Sequence, residues 1–381
     1  MSTPQMPVYF DCNATTPVDR RVSEKMTHCF VEEYGNSGSR SHEFGLRAKQ
    51  EVQRARELVA AVVAASPEEV IFTSGATESN NIAILGLAKW GQSTGRRHII
   101  SSRVEHKAVL EPFEELQSQG FEISWIPVGE SGAVDPDDVR RLLRPDTLLV
   151  SVMQANNETG IIQPIAELGT RLGEHPAFLH VDAAQGFGKE LESLRSKRVD
   201  LISVSGHKLF APKGIGALIA RRRSHAKLPL SPLMFGGGQE GGLRPGTVPV
   251  ALVAGLGLAA SLAVQEHSER RNKCLALRNR VLEVFSGLGG LANGDPERAL
   301  PHVLNVSIPG VDSEALLVAL KPHIACSNGS ACTSASYRPS HVLEAMGLTR
   351  DRLRSAIRLS WFHDTPDPNW TGIQVAVRGL L

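Results

Sequence analysis

The sequence predicts an α/β protein, with a large domain built on a mostly parallel sheet and a smaller α+β domain after it. Three observations carry that prediction. Apolar runs of strand length alternate with helix-like segments from about residue 65 to 225, which is the pattern of βαβ units. Short polar motifs stand directly after those runs, where open parallel sheets hold their ligands. The chain of 381 residues also exceeds what one ordinary core encloses, so two domains are the default.

The strand-like runs are 70–72, 98–100, 123–126, 148–152, 178–181 and 201–204. They are short and apolar, as strands covered on both faces are. Residues 251–264 read as a buried helix, because the run contains two glycines and falls short of the ~20 residues of a membrane span. The charged stretch from about 262 to 285, with Glu266-His267-Ser268-Glu269-Arg270-Arg271, reads as a long amphipathic helix linking the domains. Beyond it, runs at 304–308, 324–326 and 357–360 and a helix-like segment at 313–320 outline the smaller domain. The boundaries expected are 15–260 for the large domain, and 1–14 with 261–381 for the small one.

A net charge of +1, with 41% hydrophobic and 21% charged residues, describes an ordinary globular chain. It offers no basic surface, so neither direct nucleic-acid contact nor a membrane partner is expected. Arg221-Arg222-Arg223 reads as a solvated turn. Five cysteines without CxxC spacing oppose a disulfide framework or a structural zinc site, and no metal is expected. No signal peptide is evident at the N-terminus, and the thiol content suits a reducing cytoplasm.

The chemistry starts at Ser205-Gly206-His207-Lys208, which follows a buried run. A lysine amine attacks carbonyls only when deprotonated, and burial or a nearby cation lowers its pKa toward that state. Upstream, Val181-Asp182-Ala183-Ala184-Gln185 brings an acid to a strand end. An acid there suits a pyridinium nitrogen, which strengthens the electron sink of pyridoxal 5'-phosphate (PLP). Alone, the lysine reads as a solvated loop residue and the acid as a helix cap; together they point to a PLP enzyme.

The remaining motifs extend this reading. Thr73-Ser74-Gly75-Ala76-Thr77-Glu78 leads from a strand into a helix, where backbone N–H groups and the dipole favour a phosphate. His106 follows another run and suits ring stacking and proton exchange, although a lone histidine is more often structural. Asn157, in Asn156-Asn157-Glu158-Thr159-Gly160, offers an amide to a phenolate oxygen. Cys332 lies among small polar residues, Ser327 to Ala335, without hydrophobic cover, and is the better nucleophile candidate. Cys326 reads as core but stays a second candidate. Arg358 presents a fork suited to an α-carboxylate.

Together these motifs resemble a cysteine desulfurase of the class V aminotransferase-like PLP family. The likeness runs through Asp11-Cys12-Asn13-Ala14-Thr15-Thr16-Pro17, the motifs above, Gly236-Gly237-Gly238-Gln239-Glu240, Arg244-Pro245-Gly246-Thr247 and Gly329-Ser330-Ala331-Cys332-Thr333-Ser334. The last motif is similar to the group with the longer cysteine loop. The resemblance implies a PLP-dependent transferase-like large domain. It implies that Lys208 binds PLP covalently, Asp182 faces the pyridine nitrogen and His106 stacks on the ring. Gln185 and Asn157 would contact the phenolic oxygen and substrate, while Ala76, Thr77, Ser205 and His207 would hold the phosphate. Thr247 resembles a residue lent to a neighbouring subunit, which implies a homodimer. Arg358 with Asn36 would grip the carboxylate of L-cysteine, and Cys332 would carry sulfur as a persulfide to an acceptor protein.

Ser37-Gly38 departs from the family's common proline and small residue, and Trp361-Phe362-His363-Asp364 replaces small and basic residues usual after the arginine strand. The chain ends at Leu381 without the tail some desulfurases use to dock an iron-sulfur scaffold. The expected acceptor therefore belongs to a specialised pathway, such as tRNA thiolation or DNA phosphorothioation, or to iron-sulfur assembly. A selenocysteine lyase, an ordinary class V aminotransferase and a non-catalytic scaffold are the competing readings. The Cys332 run argues against the first two, and the complete catalytic set argues against the third.

Overall fold

The computed structural model describes residues 6–328 and 339–381, so Cys332 lies outside the described residues. Its strands are β1 (Val8–Tyr9), β2 (Val70–Thr73), β3 (His98–Ser102), β4 (Glu122–Ile126), β5 (Thr147–Ser151), β6 (Phe178–Asp182), β7 (Leu201–Ser205), β8 (Gly216–Ala220), β9 (Leu291–Ala292), β10 (Val303–Ser307), β11 (Ile324–Ala325) and β12 (Ala356–Ser360). Seven of them form one sheet in the order β2-β8-β7-β6-β5-β3-β4. Pairing is parallel from β7 through β6, β5 and β3 to β4, and β8 pairs antiparallel with both β2 and β7. The expected mostly parallel sheet is present, and every strand-like run of the first half lies in it.

Strand β8 is the one strand of this sheet that the apolar pattern did not reveal. Its sequence, Gly216-Ala217-Leu218-Ile219-Ala220, is rich in small residues that carry little strand preference. Tertiary fit requires them: a Cβ at Gly216 would stand 2.3 Å from the Val204 carbonyl oxygen and 2.6 Å from Gly75 Cα. The missing side chain lets the turn after β2 approach the end of β7.

The buried helix expected at 251–264 and the long helix expected from about 262 to 285 are Val250–Gln265 and His267–Ser286, with a 73° bend between them. The first is the buried apolar helix, packed against Arg20–Val31 and Glu43–Val62. The second is largely polar. The corner falls at Glu266, whose carboxylate is held by Arg21 and Arg270. Among the described residues, no single helix is long and apolar enough to cross a membrane.

In the second half, β10 lies between β12 and β9, all antiparallel, and β1 pairs in parallel with β11. Phe10, Val281, Phe285, Ile357, Leu359, Trp361 and Ile373 share one apolar cluster there. The large sheet has separate clusters on its two faces.

The basic triplet is not a solvated turn. Arg221 is buried and donates to the carbonyls of Val63 and Leu194, while Arg223 pairs with buried Asp200 and lies over the Phe178 ring. Only Arg222 is exposed. Buried carbonyls and a buried carboxylate need donors, and the arginines supply them.

Candidate active site

The polar motifs converge at the ends of β6 and β7. Asp182 closes β6 and is buried, accepting from Asn80 Nδ2 at 2.8 Å and from the Ala184 amide at 2.9 Å. These two donors orient the carboxylate. Lys208 ends the tight turn Gly206–Lys208 after β7, and its amine donates to the carbonyls of Asn13 and Ala14. The Asn13 carbonyl also accepts from Gln185 Nε2 at 3.0 Å, and Asn13 Nδ2 donates to the Asn157 carbonyl at 3.0 Å. Asn13 thus joins Lys208, Gln185 and Asn157. Asn13 and Asn80 are functional residues to which no sequence motif assigned a role.

His106 caps the helix Lys107–Ser118, its Nδ1 accepting from the Ala108 amide at 3.1 Å. That bond places the proton of the neutral ring on Nε2. Burial holds its pKa below the ordinary imidazole range; Lys208 and His341 push the same way and Asp182 opposes. Beside it, Glu105 is fully buried and accepts from the Met153 amide at 2.8 Å and from Ser102 Oγ at 3.2 Å. Burial pushes this carboxyl up to about 8, and the charge of Asp182 adds to the shift.

The turn after β2 runs through Gly75, at φ 156°, into the helix Ala76–Leu85, with Ser205 on the facing strand end. His207 Nδ1 lies 3.1 Å from Thr15 Oγ1, and burial followed by the charge of Lys208 lowers this histidine to about 4. These groups fit PLP: a carboxylate for the ring nitrogen, an imidazole, an amine and a helix N-terminus for the phosphate. The buried oxygens Asn157 Oδ1 and Gln185 Oε1 also have no partner among the described residues, as expected of amides reserved for a bound group.

At the other end of the site, Arg358 on β12 is buried. It donates to Asp11 Oδ1 at 2.6 Å, Ser327 Oγ at 3.0 Å and the Asn157 carbonyl at 3.0 Å, leaving Nε without a partner. Asp11 is a further residue without a predicted role. Ser340 Oγ donates to buried Glu158, and His341 Nε2 lies 3.0 Å from the Glu105 carbonyl. Ser327 and Ser340 flank the stretch carrying Cys332, so both flanks are fastened at this end of the site.

Asn36 and Thr247 are exposed, and among the described residues neither forms a hydrogen bond to the other site residues. Thr77 is exposed and Ala76 half-buried at the helix start. Cys326 packs on the edge of the second-half core, and burial pushes its thiol up to about 12, which leaves no thiolate at neutral pH.

A model of the aminotransferase class-V family matches residues 8–367. The chain is 47% identical to the cysteine desulfurase IscS of Methylococcus capsulatus, over 93% of this chain and 88% of that protein. It superposes on the crystal structure of DndA from Streptomyces lividans with a TM-score of 0.82 and 50% identity, covering 95% of this chain and 100% of the other. A structure of SspA in complex with cysteine matches with a TM-score of 0.80 and 35% identity, over 93% and 98% of the two chains.

Proposed function

The chain belongs to the aminotransferase class-V family and within it to the PLP-dependent cysteine desulfurases, and from that premise we propose that it moves the sulfur of L-cysteine onto Cys332 and leaves L-alanine. The observation that carries the residue assignments is the convergence of Lys208, Gln185 and Asn157 on Asn13, beside Asp182 and His106. In this reading Lys208 holds PLP covalently and Asp182, steadied by Asn80, faces the ring nitrogen. His106 stacks on the ring, while Gln185 and Asn157 offer their free amide oxygens and N–H groups to cofactor and substrate. Ala76, Thr77, Ser205 and His207 hold the phosphate. Bound PLP supplies an electron sink conjugated to the substrate amine.

The protein's own groups do the rest. Arg358, aided by Asn36, orients the substrate carboxylate, and Asp11 keeps the guanidinium in place until substrate competes for it. His106, neutral and carrying its proton on Nε2, can move a proton at the substrate. The Cys332 thiolate attacks the substrate sulfur: an S–S bond forms, the carbon–sulfur bond breaks, and the carbon fragment takes a proton to become L-alanine. Sulfur then passes from Cys332 to an acceptor protein in iron-sulfur assembly or in a thiolation pathway such as tRNA thiolation or DNA phosphorothioation.

The same proposal includes a homodimer in which Thr247, exposed here, completes the phosphate site of the other copy. It also includes two domains, 15–260 and 1–14 with 261–381, supported by separate apolar clusters. A cytoplasmic location suits a reaction that depends on a free thiol. The test is alanine and sulfide production from L-cysteine. The native enzyme should form both, and Lys208→Ala should form neither; activity persisting in Lys208→Ala would remove the lysine from its role.

A further inference from the structure

A cavity of about 50 Å³ lies where residues 188–189, the helices Val250–Gln265 and His267–Ser286 and the end of β12 meet. Cys12, Lys189, Cys274, His302 and Trp361 are on its wall. Trp361 opens the segment that departs from the family pattern, and its indole N–H donates to the Cys274 carbonyl at 3.1 Å.

Lys189 is the unusual group. Its Nζ lies 3.2 Å from His302 Nε2, and among the described residues it has no other hydrogen bond and no carboxylate partner. An ammonium has three N–H donors, so two remain without a protein acceptor. Burial lowers Lys189 to about 8, close enough to neutrality that an anion beside it would favour the ammonium form.

Nothing on the wall balances that charge. Burial keeps His302 neutral, well below the ordinary imidazole range, so it accepts from the lysine without adding a negative charge. The thiols of Cys12 and Cys274 are pushed up to about 12 by burial and stay protonated. Arg270 adds a second cation, itself neutralised by Asp19 and Glu266. Among the described residues, no Asp or Glu lines the cavity. A buried charge is costly unless it is paired.

We propose that this cavity binds a small monovalent anion, a halide or hydrosulfide, paired with the Lys189 ammonium. Size agrees: a water needs roughly 10–15 Å³, so the space admits one small ion with a few waters. The two thiols and the indole make a soft, polarisable wall suited to such ions. A cation has no comparable case, because no group of three His, Cys, Asp or Glu among the described residues is arranged to hold a metal. The inference is independent of the residue roles proposed for the PLP site.

The test is thermal unfolding of the PLP-loaded enzyme in sodium chloride or bromide against sodium gluconate at equal ionic strength. Saturating halide should raise the Tm by roughly 2–4 °C, and Lys189→Met should lose that difference while keeping the cofactor absorbance. Equal Tm values for the native enzyme in chloride and gluconate, or an undiminished difference in Lys189→Met, would overturn the proposal. If Lys189→Met does not fold, chlorine NMR on the native enzyme decides: saturable line broadening supports the site, and its absence rejects it. Added hydrosulfide that narrows the broadened line makes hydrosulfide the tighter occupant; an unchanged line leaves the halide in place.

Discussion

Lys208 and Lys189 are the same residue type in neighbouring parts of one molecule, yet their surroundings differ in kind. Lys208 stands at a strand end, with its amine on two backbone carbonyls and near His106. Lys189 faces a neutral imidazole and two neutral thiols, with no further acceptor for its hydrogens among the described residues. Cys12 and Asn13, adjacent in sequence, separate the two: the first borders the Lys189 cavity and the second holds Lys208. What a lysine does here is set by the acceptors around it. In the roles proposed above, one serves covalent chemistry on a cofactor and the other holds a small ion.

The largest expected contrast comes from exchanging these environments for inert side chains. Lys208→Ala should abolish alanine formation, whereas Lys189→Met should retain the cofactor absorbance; loss of cofactor from Lys189→Met would break the distinction. Next in size is Arg358→Lys, which keeps a charge but loses the fork shared by Asp11, Ser327 and Asn157. Its KM for L-cysteine should rise roughly 10- to 100-fold, in line with loss of a charged hydrogen bond. An unchanged KM would take Arg358 out of substrate binding. Asn80→Ala removes one donor from Asp182 and should weaken PLP binding about tenfold, measured by cofactor titration.

The smallest effect is on stability. Glu105 carries a folded-state pKa raised to about 8, so between its ordinary value and 8 the folded protein binds more protons than the unfolded chain. This group's contribution is therefore fully present at low pH and is lost as pH rises toward 8. The Tm of the native enzyme, compared with Glu105→Gln at each pH, should show this decline as an excess slope from pH 5 to 8. Parallel curves would mean that Glu105 is ionised in the fold.

Much of the cofactor end was legible in the sequence, because Asp182, Ser205 and Lys208 end or follow short apolar runs that became β6 and β7. Residues whose roles depend on distant partners were not. Asn13 meets Gln185 at a separation of 172 residues and Asp11 meets Arg358 at 347, and no local period encodes those contacts. Strand β8 was hidden because its small residues answer to the close approach of Gly75 and Val204. The two helices on either side of Glu266 were legible, but not the bend between them, where Glu266 is held by ion pairs with Arg21 and Arg270. Arg221 and Arg223 looked like surface charge until the fold supplied Val63, Leu194 and Asp200 as acceptors.

The central claim is that sulfur leaves L-cysteine through Cys332, and it is tested most directly by locating the persulfide. Native enzyme, Cys332→Ser and Cys326→Ser should each be treated with L-cysteine, alkylated and mapped by peptide mass spectrometry. The account predicts one added sulfur on the Cys332 peptide in the native and Cys326→Ser proteins, and none in Cys332→Ser. A persulfide on Cys326, or full sulfide release from Cys332→Ser, would contradict it.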